Sequence, residues 1–175
     1  GWETDSNGNS RYVTFYAFAD NTSGYYIPGQ APQQNSLAAK LAWMEGLVAQ
    51  NNSSGQPDSI PVCMAWKESG FNPKAFNGRG GGFGAIGLFQ VRKITLTDFN
   101  RTWLAANAPP YTKDDLWNPT LNTYIATAEM YQHIEYAGGN VIAGINSLGT
   151  GSGYSDSIMS CSRGLPSEGT AALKR

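Results

Sequence analysis

Histidine is nearly absent from this chain. His133 is the single one among 175 residues, so Ser-His-Asp, Cys-His and multi-histidine metal chemistry would all have to run through one side chain. Cysteine is almost as scarce, with Cys63 and Cys161 alone. Paired-cysteine zinc sites are thereby excluded, and the two are either one disulfide or two buried thiols. A bridge would enclose about a hundred residues and, in the chain-entropy model, contribute roughly 4 kcal/mol. Charge is sparse too: 14% of residues carry one, and twelve scattered Lys and Arg stand against thirteen Asp and Glu, for a net −1 and a pI near 5.8. That leaves no basic footprint for nucleic acid. Apolar runs fall far short of the roughly 20 residues that span a bilayer, so no membrane span is expected. Gly1-Trp2 opens directly into polar sequence without a charged n-region and apolar h-region, so no leader is expected within the chain. No metal or cofactor is expected.

What the chain has instead is polar but uncharged. Asn, Gln, Ser, Thr, Tyr and Trp are plentiful, a mix suited to a hydroxyl-rich, uncharged ligand contacted by hydrogen bonds and ring stacking. The length suits one core-forming domain with a short appendage. Residues 11–26, "RYVTFYAFADNTSGYY", alternate like a β-hairpin turning at "DNTSG", with Tyr12, Tyr16 and Phe18 on one face. That face is either packing or a ledge for sugar rings. "IPGQAPQQN" reads as a linker. Ser36 caps a helix to about Gln50 with the stripe Leu37, Leu41, Met44 and Val48. A second helix is capped by Asp58 or Ser59, has Pro61 in its first turn and stops at Gly70 before Asn72-Pro73. Its last turn holds Glu68. Further helices are predicted near 95–107, 119–137, 140–148 and 154–161, and "SRGLPSEGTAALKR" reads as a frayed tail. The expectation is a mostly helical α+β domain over 36–161, with a hairpin and linker over 1–35 and a tail over 162–175.

The most distinctive stretch is "ESGFNPKAFNGRGGGFGAIGLFQ", residues 68–90, which contains G-x-G-x-x-G at Gly82, Gly84 and Gly87. A dinucleotide loop needs a strand before it, a helix opening at it and an acidic residue about 20 positions on. Residues 99–113 contain no Asp or Glu, and no Gly-Lys-Ser/Thr follows. The glycines therefore serve as backbone that can approach a ligand or another segment closely, folding Gln90 toward Glu68 beside a cleft.

Several linked segments carry a family resemblance. Glu68-Ser69-Gly70-Phe71-Asn72-Pro73-Lys74-Ala75, then "GAIGLFQ" over 84–90, then "LWNPTLNTYIATAEMY" over 116–131, then Ile145-Asn146 before a glycine turn, and Tyr154 with Ile158 four on, occur in order between residues 58 and 160. Together they resemble the soluble lytic transglycosylase and goose-type lysozyme family. The resemblance implies a lysozyme-like fold and the cleavage of peptidoglycan between N-acetylmuramic acid and N-acetylglucosamine. It also implies an extracellular or periplasmic bacterial setting, or a phage-encoded one. Glu68 would be the acid and base, protonating the leaving oxygen and then directing the muramyl 6-hydroxyl onto the sugar carbon to give a 1,6-anhydro end. Ser69, Gln90 and Asn146 would hold Glu68 or the acetamido group, with the backbone near Phe89 lining the sugar site. Ile145 stands where the family has a tyrosine, and either Tyr154 or an N-terminal tyrosine is a candidate to replace it. The acidic residues of goose-type lysozymes are missing around Asn77-Gly78-Arg79 and Val91-Arg92-Lys93.

Physical chemistry supports such a role for Glu68. Breaking a glycosidic bond needs an acid that stays protonated near neutral pH. Desolvation by apolar neighbours such as Trp66 and Phe71, and the negative end of its helix, would both raise its pKa. Asn122, Ala126, Glu129 and His133 share one polar arc of a helix, which reads either as a solvated face or as a cleft wall where Glu129 positions water or substrate. Three readings follow: a peptidoglycan lytic transglycosylase or lysozyme, an enzyme hydrolysing chitin-like N-acetylglucosamine polymers, and a glycan-binding or virion-structural module without catalysis.

Overall fold

The computed structural model describes residues 2–4, 10–12, 36–78, 82–149 and 153–174. Near the start, β1 (Trp2–Thr4) pairs antiparallel with β2 (Ser10–Tyr12), Trp2 opposite Tyr12 and Thr4 opposite Ser10. Arg11 and Tyr12, expected to open a hairpin running forward, thus pair backward. The sequence between these strands contains Asn7-Gly8, a strong hairpin signal. The expected hairpin beyond Tyr12, with Tyr16 and Phe18, lies outside the described residues.

From residue 36 the chain is mainly helical. Helix α1 (Leu37–Asn51) begins at Ser36, whose Oγ accepts from the Ala39 amide, and buries Leu41, Trp43, Met44, Leu47 and Val48. Helix α2 (Ser59–Ser69) ends at Gly70, whose left-handed backbone turns its N–H onto the Trp66 carbonyl. Asp58 precedes this helix without a side-chain cap and accepts instead from Asn52 Nδ2. Two short strands, β3 (Phe76–Asn77) and β4 (Ala85–Ile86), pair antiparallel across the glycine segment. Helix α3 (Lys93–Trp103), a 3-10 turn (Lys113–Trp117), α4 (Pro119–Tyr136), α5 (Val141–Leu148) and α6 (Tyr154–Glu168) complete the body.

The core forms around α4, which is buried on most of its circumference between Thr120 and Met130. Its polar residues are satisfied by other segments. Thr127 Oγ1, fully buried, donates to the Asn51 carbonyl and accepts from the Ser53 amide, tying the α1–α2 loop to the middle of α4. The solvated-face reading of the polar arc is therefore corrected: Asn122 and Glu129 are 0% and 2% exposed. Only His133, at the far end, reaches partway to solvent.

A disulfide joins Cys63 on α2 to Cys161 on α6, their Cα atoms 5.9 Å apart. The expected frayed tail is likewise corrected. Helix α6 continues past Pro166 to Glu168, a 3-10 turn spans Gly169–Ala172, and Ala172 and Leu173 are buried. Gly164 permits this return, because a Cβ there would press against the Ala172 methyl group at 3.3 Å. Leu165, Ala172 and Leu173 remove apolar surface from water, which outweighs the local tail-like composition. Among the described residues no helix is long and apolar enough to cross a membrane.

Candidate active site

Glu68 sits in the last turn of α2, partly buried, on the wall of a pocket. Met64, Phe89, Gln90, Val91, Arg92, Thr95, Ala126, Glu129, Leu148 and Tyr154 line the rest. The apolar neighbours differ from those expected. Trp66 and Phe71 pack on each other, ring centroids 5.1 Å apart, and neither lines the pocket. Helical geometry explains the difference: Trp66 is two residues from Glu68 and points elsewhere, whereas Met64, four residues back, shares its face.

Tyr154 lies at the start of α6, and its hydroxyl donates to Glu68 Oε2 at 3.1 Å. The ring is held from two sides. Asn146 Oδ1 accepts from the Ser155 amide at 2.8 Å, fixing the first turn of α6. Gly149 packs against the ring so closely that any Cβ there would overlap it. Ile145, where the resemblance called for tyrosine, is wholly buried, so the phenol that reaches Glu68 comes from Tyr154.

Burial raises the pKa of Glu68 above the ordinary carboxylate value, against the opposing pull of the Tyr154 hydrogen bond and the positive charges of Arg92 and Lys67. Tyr154 is itself raised, by burial and by the adjacent Glu68 carboxyl, and stays a protonated donor. The pocket thus holds one carboxyl biased toward its acid form and a fixed phenol to orient it.

The glycine segment closes the pocket by a specific device. Gly87, with φ of 77°, occupies a conformation that favours glycine, and a Cβ there would meet Asn122 Nδ2 at 2.6 Å. Asn122 fills that space, donating to the carbonyls of Ile86 and Leu116 and accepting from the Phe89 amide. Gln90, also left-handed at φ 52°, donates from Nε2 to the carbonyls of Ala75 and Gly87. Gln90 and Phe71 are the non-glycine residues at positive φ among those described. Such backbone strain persists where surrounding contacts over-determine it, and both residues border the Glu68 segment.

Some expected contacts take another form. Ser69 Oγ donates to the Ala65 carbonyl and accepts from the Asn72 amide, finishing the helix. Ser69, Gln90 and Asn146 make no hydrogen bond to Glu68; the single side chain that does so among the described residues is Tyr154. A hydroxyl, a carboxamide and an asparagine near a carboxyl look like its holders in sequence, but each meets a nearer backbone partner. Sequence reasoning missed Met64, Arg92, Thr95 and Leu148 as pocket residues, although the i, i+4 spacing of Met64 and Glu68 was a usable signal.

Residues 47–157 match the model of the transglycosylase SLT domain. The chain belongs to that family. Two similar solved structures share the lysozyme-like fold. One is a 70-kDa soluble lytic transglycosylase in complex with bulgecin A, at 22% identity and a TM-score of 0.53, covering 74% of this chain and 22% of that one. The other is the 70-kDa soluble lytic transglycosylase of Escherichia coli, at 20% identity and a TM-score of 0.51, covering 71% of this chain and 21% of that one. The SLT domain described here thus spans about a fifth of the length of those enzymes. No curated protein matches the chain.

Proposed function

We propose that this SLT domain cleaves the β-1,4 bond between N-acetylmuramic acid and N-acetylglucosamine in peptidoglycan, with Glu68 as general acid and then general base. The observation that carries the reading is the Glu68–Tyr154 pair in a pocket with apolar walls. Burial biases Glu68 toward the protonated form that can deliver a proton to the leaving oxygen, and the phenol orients the carboxyl for the transfer. Once deprotonated, Glu68 is stabilised by the same phenol and by Arg92, and it accepts the proton of the muramyl 6-hydroxyl as that oxygen closes on the sugar carbon. The bond from carbon to the leaving oxygen breaks, the internal ether forms, and the proton returns to Glu68. The product is a 1,6-anhydro end, made without water.

Hydrolysis by a two-carboxylate route is the second reading, because Glu129 lines the same pocket. Its pKa, pushed up to about 8, argues against a nucleophile or base at neutral pH. Ser69, Phe89, Gln90 and Asn146 border the substrate in this proposal, Phe89 as a buried wall and Gln90 as the clamp of the glycine turn. The disulfide fits an oxidising compartment outside the cytoplasm.

Digestion of purified peptidoglycan by wild type and by Glu68→Gln, with products weighed by mass spectrometry, tests the reading. Fragments lighter than hydrolysis products by one water are expected from wild type. Ordinary reducing ends would replace transglycosylation by hydrolysis, and full activity in Glu68→Gln would remove Glu68 from its role.

A further inference from the structure

Both cysteines of the Cys63–Cys161 disulfide line a second cavity on the seam between α2 and α6, which shares no lining residue with the pocket that holds Glu68. Helical spacing assembles it. Lys67 stands one turn beyond Cys63 on α2, and Ser157 one turn before Cys161 on α6, so each pair shares a face. Lys174 arrives after the 3-10 turn Gly169–Ala172, and Trp66 adds an apolar wall. Lys67, Ser157 and Lys174 are exposed, so the cavity reaches solvent between them. Its volume of about 290 Å³ matches about ten waters at about 30 Å³ each, ample for a small organic molecule.

The rim is positive. Among the described residues neither Lys67 nor Lys174 forms a salt bridge. With a net charge of −1 on the whole chain, attraction for anions at this point is local to the two lysines. The cavity also adjoins the proposed catalytic pair from behind, because the Lys67 ammonium lies 5.7 Å from the centroid of the Tyr154 ring. Glu68 follows Cys63 by five residues on one helix, and Cys161 follows Tyr154 by seven on the other.

We propose that this cavity is a thiol–disulfide exchange site that takes small anionic thiols in the folded state, and that reduction there lowers activity by untying α6 from α2. The first half stands on the cavity alone; the second rests on the reading of Glu68 above. A thiolate attacks the sulfur of Cys161, the more exposed cysteine at 9% against 1% for Cys63. The S–S bond breaks, and its electron pair leaves on Cys63 Sγ, where the Lys67 charge one turn away favours the thiolate. A second thiolate attacks the added sulfur, releases Cys161 and departs with it as the oxidised reagent. Two reagent thiols are thus oxidised, one protein disulfide is reduced, and the two reagent protons end on Cys63 and Cys161.

The test compares mercaptoethanesulfonate, mercaptoethanol and cysteamine, which are anionic, neutral and cationic beside the thiol. The folded protein is incubated with each, quenched by alkylation and weighed by mass spectrometry, with rates expressed per thiolate. Rates should rise in proportion to thiol concentration, with the sulfonate roughly tenfold faster than mercaptoethanol and cysteamine slowest. The anionic advantage should shrink between about 0.01 M and about 0.5 M salt. It should vanish in the Lys67→Gln, Lys174→Gln double variant, whose changes lie on the surface. A rate independent of thiol concentration would mean that the bond opens only on unfolding and would overturn the inference. So would equal rates for the three thiols, or an unchanged order in the double variant. Peptidoglycan cleavage by the same samples should fall severalfold on reduction, as the Glu68–Tyr154 geometry loosens; full activity after complete reduction would overturn the second half. A wild type that cuts no glycan removes the enzymatic reading, while the order of exchange rates still decides the site.

Discussion

Tyr154 and Glu68, 86 positions apart in the chain, meet through one hydrogen bond from phenol to carboxyl at 3.1 Å. The contact closes α6 onto the end of α2, and the Cys63–Cys161 disulfide links the same two helices. The carboxyl proposed as the acid, at a helix terminus, is thereby fixed by a second helix rather than by a loop, which limits its freedom.

Tyr154→Phe removes the bond and leaves the ring. Because that bond lowers the Glu68 pKa against burial, its loss should raise the pKa further. The alkaline limb of kcat/KM should therefore move to higher pH. Activity at the optimum should fall, as the carboxyl loses its orientation. A pH–rate profile checks this, and a limb that moves to lower pH would contradict the assignment.

Glu68→Gln should abolish cleavage without unfolding the protein. Loss of the general acid costs on the order of a hundredfold to ten-thousandfold. The folded-state pKa lies above its unfolded value, so the stabilisation from protonated Glu68 is complete below about pH 4.5 and is lost as pH rises through the folded pKa. The Gln variant carries no such penalty and should melt at or above the wild-type temperature at neutral pH. Activity and thermal melting on the same preparation separate the two effects.

Gly149→Ala acts through Tyr154, since the new Cβ would overlap the ring. The ring must move and the Glu68 bond with it, so activity should drop along with a destabilisation of about 1–3 kcal/mol. Repeating the change in a Tyr154→Ala background should largely erase the stability cost. Additive losses in that double-mutant cycle would show that the strain lies elsewhere.

Local chemistry made much of this legible in advance. The Ser36 cap, the Gly70 stop, Glu68 in the last turn and the order of the later helices all follow from side-chain preferences that act within one turn. The family resemblance and the lysozyme-like fold were readable from linked segments of sequence. What stayed hidden depends on partners distant in the chain. Asn122 and Glu129 look like one arc of a solvated helix until residues 86–89 and Asp98 are brought against them. Ser69 and Asn146 look like ligands for Glu68 until their nearest backbone partners are known. The tail looks frayed until Ala172 and Leu173 find the core.

Glu129 gives a stability signature of its own. Its folded pKa of about 8 exceeds the unfolded value of 4.5. Stability from the neutral form is thus complete below about pH 4.5 and declines as pH rises through about 8. Glu129→Gln should flatten the melting temperature against pH over that window, with its largest advantage above pH 8. Differential scanning calorimetry across the range checks this; parallel curves for the two proteins would mean that Glu129 titrates normally.

Asn122 should be among the least replaceable side chains. Its carboxamide meets the Phe89 amide and the Ile86 carbonyl in the turn that carries Gln90, and the Leu116 carbonyl in the 3-10 turn Lys113–Trp117. Asn122→Leu keeps the volume and removes every one of these bonds, leaving the Phe89 N–H without its partner where water does not reach. Each buried group left unpaired costs about 1–3 kcal/mol, so a total loss of about 2–4 kcal/mol in denaturant unfolding is expected. Asn122→Asp separates the two halves of the contact, since a carboxylate still accepts from Phe89 but cannot donate to the carbonyls. If the donated bonds hold the glycine turn, Asp should destabilise nearly as much as Leu. If Asp instead restores most of the stability, the Phe89 amide is the contact that holds the turn.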